Sequence, residues 1–147
     1  MHAQPFDRQG FVEHTGTIPV TFPVDRQRVA DTLCSAFEGG STYWCRLEDK
    51  SPLPDAALET LADQNARAYL MDWALLGGSL TFSAEGGSIV EGGPTRWTLD
   101  ADTLAAGLGV MATKYPTHFA DMVSHGGDAT TGDVLLQCCL FGEVVFG

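Results

Sequence analysis

The sequence has no apolar run of the length that a membrane span requires, and it is poor in basic residues. A spanning helix needs about 20 consecutive apolar residues, and no stretch approaches that length. Eight Lys and Arg stand against nineteen Asp and Glu, which gives a net charge of −11. Because phosphate contact needs clustered Lys and Arg, we expect no direct binding of nucleic acid, and no membrane partner.

Sequence motifs for nucleophilic, metal or nucleotide chemistry are also missing. There is no G-x-S-x-G, H-E-x-x-H or Walker loop. Residues 1–10 carry no apolar leader run, so we predict no signal peptide and a cytoplasmic protein. The cysteines lack the C-x₂₋₄-C pairs typical of structural zinc, so we expect buried, reduced thiols. These are Cys34, Cys45, Cys138 and Cys139. We therefore predict a protein that is not an enzyme and that uses no cofactor or metal.

The length of 147 residues and the hydrophobic share of 44% favour one domain with a real core. Residues 1–16 show no clear periodicity and are interpreted as a flexible N-terminal arm, the alternative being an additional hairpin strand. Residues 17–147 are predicted to form the domain. Within it, residues 51–74 are predicted to be a surface insertion, because two prolines precede only a weakly amphipathic helical turn or two.

Four stretches predict β-strands. Residues 17–24 alternate between apolar residues and Thr or Pro, which is typical of a half-buried strand. Pro19 and Pro23 remove donors from the same edge, which predicts an edge strand. Glycine pairs separate the later strands. The other three are predicted over residues 41–48, 79–84 and 95–99.

Helices are predicted from caps and apolar stripes. Asp25 begins one over residues 25–37, and Asp100 begins another that Pro116 breaks. Its glycines, Gly107 and Gly109, predict tight packing. Further helices are predicted over 117–125 and 131–141, the last apolar all round and therefore central, whereas 69–76 fits a helix or a strand.

These elements predict one α+β domain, in which a small, mainly antiparallel sheet of about four strands packs against three to four helices. Two candidate sites follow from spacing. His118, Asp121 and His125 share one helical face, which is compatible with a metal site. The alternative is that Asp121 is solvated and that His125 lies at the C-terminal end of the helix, where the helix dipole favours a cation.

The second candidate is an acidic, partner-binding surface. Residues 51–147 carry a net charge of −9. Asp55, Glu59 and Asp63 follow at i, i+4 and i+8, on one face of a helix. We include Asp72, with Tyr43 and Trp73 as aromatic anchors. The alternative is that excess negative charge only keeps the protein soluble.

Two blocks carry a resemblance: DRQRVADTLCSAFEGGSTYW at 25–44 and KYPTHFADMVSHGGDATTGDVLLQCCLFGEVVFG at 114–147. Both resemble a family of small proteins encoded by bacteriophages, prophages and other mobile elements. No activity or catalytic residue is established for that family. The resemblance implies a mobile-element protein that acts inside a bacterium.

Charge and context together predict an inhibitor of a bacterial nucleic-acid-targeting defence system, similar in action to an anti-CRISPR protein. CRISPR effectors hold nucleic acid in positively charged channels, which a negative protein can occupy without an active site. The expected partner is therefore a defence protein or complex with a basic surface. The alternatives are a phage structural or assembly accessory, and a small metal-dependent enzyme using His118, Asp121 and His125.

Overall fold

The computed structural model describes residues 16–125 and 127–147, so the predicted arm lies, apart from Gly16, outside the described residues. The described part contains five α-helices and a three-stranded antiparallel sheet, which confirms the α+β class. In chain order the elements are α1 (Arg26–Ser35), β1 (Cys45–Lys50), α2 (Asp55–Asp63), β2 (Leu80–Ala84), β3 (Trp97–Leu99), α3 (Ala101–Lys114), α4 (Pro116–His125) and α5 (Ala129–Phe141).

The sheet has three strands in the order β1-β2-β3, and not the four that were predicted. Residues 17–24 belong to no strand, so the prediction of an edge strand there is wrong. The alternating pattern is present, but among residues 16–125 and 127–147 the segment pairs with no strand. On β2, Leu80, Phe82 and Ala84 are buried while the residues between them are half-exposed, so one face of the sheet covers the core.

The first strand begins later than its sequence predicted. Residues 41–44 form a turn in which Ser41 accepts hydrogen bonds from the backbone N–H groups of Trp44 and Cys45. Pairing with β2 then runs from Cys45 to Lys50, with an irregularity between Leu47 and Asp49. The aromatic residues that suggested an early strand are used in this turn instead.

The predicted helix starts are largely confirmed. Asp25 accepts a hydrogen bond from the Gln27 N–H at 2.8 Å, and Asp100 accepts one from the Thr103 N–H at 2.9 Å. The first helix is α-helical only to Ser35 and continues as a π-helical turn over Ala36–Gly40. Residues 69–76 hold a short 3₁₀ turn, Leu70–Asp72, so neither a full helix nor a strand forms there.

The helix α5 lies at the centre of the core, as its predominantly apolar sequence predicts. Its residues from Thr131 to Cys139 are all buried, against α1, α3, α4 and β3. Two close approaches use glycine. A Cβ on Gly107 would lie 2.6 Å from Cys139 Cα, and one on Gly132 would lie 2.6 Å from Thr32 O. Tight packing is thus confirmed for Gly107 but not for Gly109, whose Cβ would meet open space.

Candidate partner-binding surface

The helix α2 buries none of its nine residues. Its sequence DAALETLAD starts after Pro54, whose fixed φ suits the entry to a helix, and Asp55 in the first turn is favoured by the helix dipole. The structure has five α-helices among its described residues, whereas three to four were predicted, and α2 is the helix that the predicted number did not include. It lies within the predicted insertion and is the most exposed helix of the described residues.

The acidic residues of α2 point away from the body of the protein. Only Ala57 and Leu61 of this helix are half-buried, so they define the inward side. With about 100° between successive residues, Asp55, Glu59 and Asp63 centre close to the opposite side. We call these three residues the acidic face. The structure therefore brings them together as the spacing predicted.

The carboxylates of the acidic face have no partner in the described part of the chain. The one ion pair found in the described part of the chain lies on the outer side of the sheet. It joins Arg96 Nη1 to Glu48 Oε1 at 3.2 Å. There a hydrogen bond from Ser83 and then the Arg96 guanidinium lower the pKa of Glu48. The sequence of α2 carries no cation at all. The acidic face is consequently free to meet a cationic partner.

Asp72 and Trp73, which were also predicted for this surface, are held by local contacts. The Asp72 carboxylate accepts a hydrogen bond from the Tyr69 N–H at 2.9 Å. The Trp73 indole N–H donates to the Ser51 carbonyl at 2.9 Å, and Lys50 Nζ lies 4.7 Å from the ring centroid. Both side chains are half-buried. Their observed contacts stabilise the loop that follows α2.

Tyr43 is exposed at its ring but engaged at its hydroxyl. The hydroxyl donates to Asp133 Oδ2 at 2.7 Å, while Ser41 Oγ and Trp44 Nε1 donate to Asp133 Oδ1 at 2.8 Å and 2.7 Å. Desolvation, and then the hydrogen bond to Asp133, raise the pKa of Tyr43 to about 12. Sequence reasoning missed this buried carboxylate, which ties the 41–44 turn to α5.

Gln137 is another buried polar residue of α5, and its side chain binds the C-terminal segment. Its side-chain oxygen accepts from the N–H groups of Val145 and Phe146, and its amide donates to the Phe146 carbonyl at 3.0 Å. Phe146 in turn stacks on Trp44, with ring centroids 5.1 Å apart. Asp133 and Gln137 are four residues apart, and the other residues of 132–141 are apolar. That spacing is the signal that could have revealed both.

An apolar cavity of about 300 Å³ opens between the π-helical turn and the first two strands. Its lining includes the apolar side chains of Phe37, Leu47, Leu70 and Phe82. Cys45 contributes a thiol to the same cavity. Burial, followed by the negative charge of Asp133, raises the pKa of Cys45 to about 12. Since the thiolate is the nucleophilic form, this cysteine is a poor nucleophile near neutral pH.

The other thiols are likewise held in their neutral form. All four cysteines are free, but only Cys138 and Cys139 are buried, so the prediction of burial was wrong for the half-exposed Cys34 and Cys45. Burial raises the pKa of Cys138 to about 11 and also raises that of Cys139. Burial, and then the negative charge of the nearby Glu38, raise the pKa of Cys34 as well.

The histidine candidate does not form a cluster of ligands. His118, Asp121 and His125 all lie on α4, but Asp121 and His125 are exposed whereas His118 is half-buried. Within residues 16–125 and 127–147, no three His, Cys, Asp or Glu side chains are placed to hold a metal ion. None of the helices in that part of the chain combines the length and the apolar character that a membrane span needs.

Comparisons with protein-family models, curated proteins and solved structures find no match to this chain. The resemblance to proteins of mobile elements therefore stays a prediction. Function has to be argued from the surface itself. The acidic face is the predicted site whose side chains the structure leaves both exposed and unpaired.

Proposed function

We propose that this protein is an inhibitor that acts by binding, with the acidic face of α2 docked on a basic surface of a bacterial nucleic-acid-targeting defence complex. The observation that supports it is the direction of Asp55, Glu59 and Asp63, which point away from the body without a cationic neighbour on their helix. Because α2 has no fully buried residue, the side of the helix away from Ala57 and Leu61 is available for a partner.

The charge of the whole chain supports the same proposal. A net charge of −11 steers the protein toward a positive surface and raises the rate of encounter at low salt. Surfaces that hold nucleic acid are rich in Lys and Arg. A rigid row of carboxylates about 6 Å apart along the helix axis presents such a surface with an alternative to phosphates. The inhibitor would work in the host cytoplasm, where the defence complex is found.

The experiment compares two triple variants in capture from a bacterial lysate. The first is Asp55→Asn, Glu59→Gln, Asp63→Asn, which neutralises the acidic face. The second is Glu91→Gln, Asp121→Asn, Glu143→Gln, which removes the same charge from three exposed positions elsewhere. Circular dichroism checks that both variants fold, and mass spectrometry identifies what each one retains.

The proposal predicts that the wild-type protein and the control variant retain a nucleic-acid-binding effector, and that the acidic-face variant loses it. Added DNA or RNA oligonucleotide should displace the captured effector, because both ligands use one basic surface. Equal capture by both variants would show that the acidic face is not the interface. Capture that survives saturating oligonucleotide would contradict competition for a nucleic-acid site.

A further inference from the structure

Segment 17–24 contains no helix, turn or bend, as expected of an extended chain, and among the described residues little covers its apolar side chains. Val24 packs against the core, and the Phe22 ring contacts the Phe119 ring of α4 edge-on at 5.6 Å between centroids. Exposure then rises along the segment, from 53% at Phe22 to 75% at Val20 and 82% at Ile18. Three large apolar side chains on one face of an extended chain indicate an interaction surface.

The backbone of this segment can pair along one edge only. In an extended chain, successive N–H groups point to opposite edges. Pro19 and Pro23 lack an N–H and lie on the same edge, so that edge is poor in donors. The opposite edge keeps the N–H groups of Ile18, Val20 and Phe22. The prolines also hold Ile18 and Phe22 in extended geometry, which lowers the entropy cost of pairing.

We propose that segment 17–24 is a dimerisation strand, which pairs antiparallel with the same segment of a second copy of this chain. Val20 would lie opposite its counterpart, and Ile18 opposite Phe22. The intact donor edges then face each other, and the apolar side chains of both copies form one cluster. Phe119 supports the ribbon from each copy through Phe22.

A second copy fits this segment because the pairing is self-complementary and closed. The donor-poor edges that carry Pro19 and Pro23 end up on the two outer sides, so the ribbon stops at two strands and a finite two-fold dimer results. Residues 17–24 carry no charge, so two negatively charged copies can meet at this point.

The open edge of β1 is a weaker partner for the same segment. Its pairing is interrupted between Leu47 and Asp49, and the Asp49 carboxylate already accepts a hydrogen bond from the Lys50 N–H at 2.9 Å. Charged residues and bulges are the usual means by which an edge strand avoids pairing. The strand β1 therefore carries protection that segment 17–24 lacks.

The test is sedimentation equilibrium of the full chain and two single variants. Val20→Pro removes a donor from the pairing edge. Thr21→Pro, the matched control, places a proline on the edge that Pro19 and Pro23 already occupy. Both positions are exposed, so neither change disturbs the core. The wild-type protein should dimerise with a Kd on the order of 10–100 µM, since the interface is small.

Val20→Pro should weaken the dimer at least about tenfold, through two lost hydrogen bonds per dimer, while Thr21→Pro should remain within about twofold of wild type. A wild-type protein that stays monomeric to about 1 mM overturns the proposal. Equal effects of the two prolines, or no effect of either, overturn it as well, because the one-edge geometry would then be wrong.

Salt separates this dimer from the proposed inhibition. Two copies of a chain with charge −11 repel each other, so added salt should strengthen the dimer. Docking of the acidic face on a basic partner should weaken under the same change. A dimer that dissociates as salt rises would contradict pairing through an uncharged strand, whatever the outcome for α2.

Discussion

At the scale of single residues, the structure depends on polar side chains inside an apolar helix. Asp133 is buried and accepts hydrogen bonds from Ser41, Tyr43 and Trp44. A buried carboxylate is tolerated only when its oxygens are satisfied. These bonds fix the turn before β1, and with it the place where the sheet begins. One side chain in α5 thus sets the position of a strand about ninety residues earlier.

Replacing Asp133 should destabilise the fold strongly. In Asp133→Ala the hydroxyl of Ser41 and the indole N–H of Trp44 lose their acceptor inside the core. We expect the free energy of unfolding to fall by about 3 kcal/mol, against about 1 kcal/mol for Tyr43→Phe, which removes one donor at the half-exposed end. Urea unfolding followed by circular dichroism measures both. A loss below about 0.5 kcal/mol for Asp133→Ala would contradict the role of this carboxylate.

The pKa of Tyr43 gives a second prediction at this scale. The value is about 12 in the folded protein, above the ordinary value of 10.0. Between these pH values the unfolded chain releases the Tyr43 proton and the folded chain keeps it, so stability falls as pH rises through this range. Ultraviolet titration should show one late tyrosine that is absent from Tyr43→Phe. In that variant the fall in stability between pH 10 and pH 12 should also be smaller.

At the scale of elements, periodicity predicted helices better than strands. A helix forms its hydrogen bonds within itself, so the caps at Asp25 and Asp100 could be found locally. A strand needs a free neighbouring edge, which a local pattern does not contain. Residues 17–24 have the alternation of a strand but pair with no strand in the described part of the chain. The β-forming aromatics of residues 41–44 donate hydrogen bonds to Asp133 instead. The failures lie where a contact distant in sequence decides the structure.

The close packing of α3 against α5 predicts opposite effects of alanine at two glycines of α3. A Cβ at Gly107 would lie 2.7 Å from the Cys139 backbone nitrogen, whereas at Gly109 it would meet nothing within 4 Å. Gly107→Ala should therefore cost about 2 kcal/mol through overpacking. Gly109→Ala should stabilise the protein by up to about 1 kcal/mol through helix propensity. Thermal melts of the two variants, which differ by two positions in one helix, should shift in opposite directions; shifts of the same sign would contradict this packing.

At the scale of the whole molecule, net charge is the property that governs the proposed encounter with a partner. The sequence located the acidic face correctly as one side of a helix, because spacing in α2 is a local matter. It did not show that Trp73 and Tyr43 have partners, since those partners are distant in sequence and are brought close by folding; the partner of Asp72, the Tyr69 N–H, is local and was overlooked. Ser51, which binds the Trp73 indole, and Asp133, which binds Tyr43, are 22 and 90 residues away along the chain.

The most direct test of the central claim is the salt dependence of affinity for the effector recovered from lysate. Affinities of wild type, the acidic-face variant and the charge-matched control are measured between about 0.05 M and 0.5 M salt, where screening of exposed charges changes strongly. We predict a steep loss of affinity with salt for wild type and control, and a weaker, flatter dependence for the acidic-face variant. Three parallel curves of equal affinity would contradict the claim that the acidic face of α2 binds a basic partner.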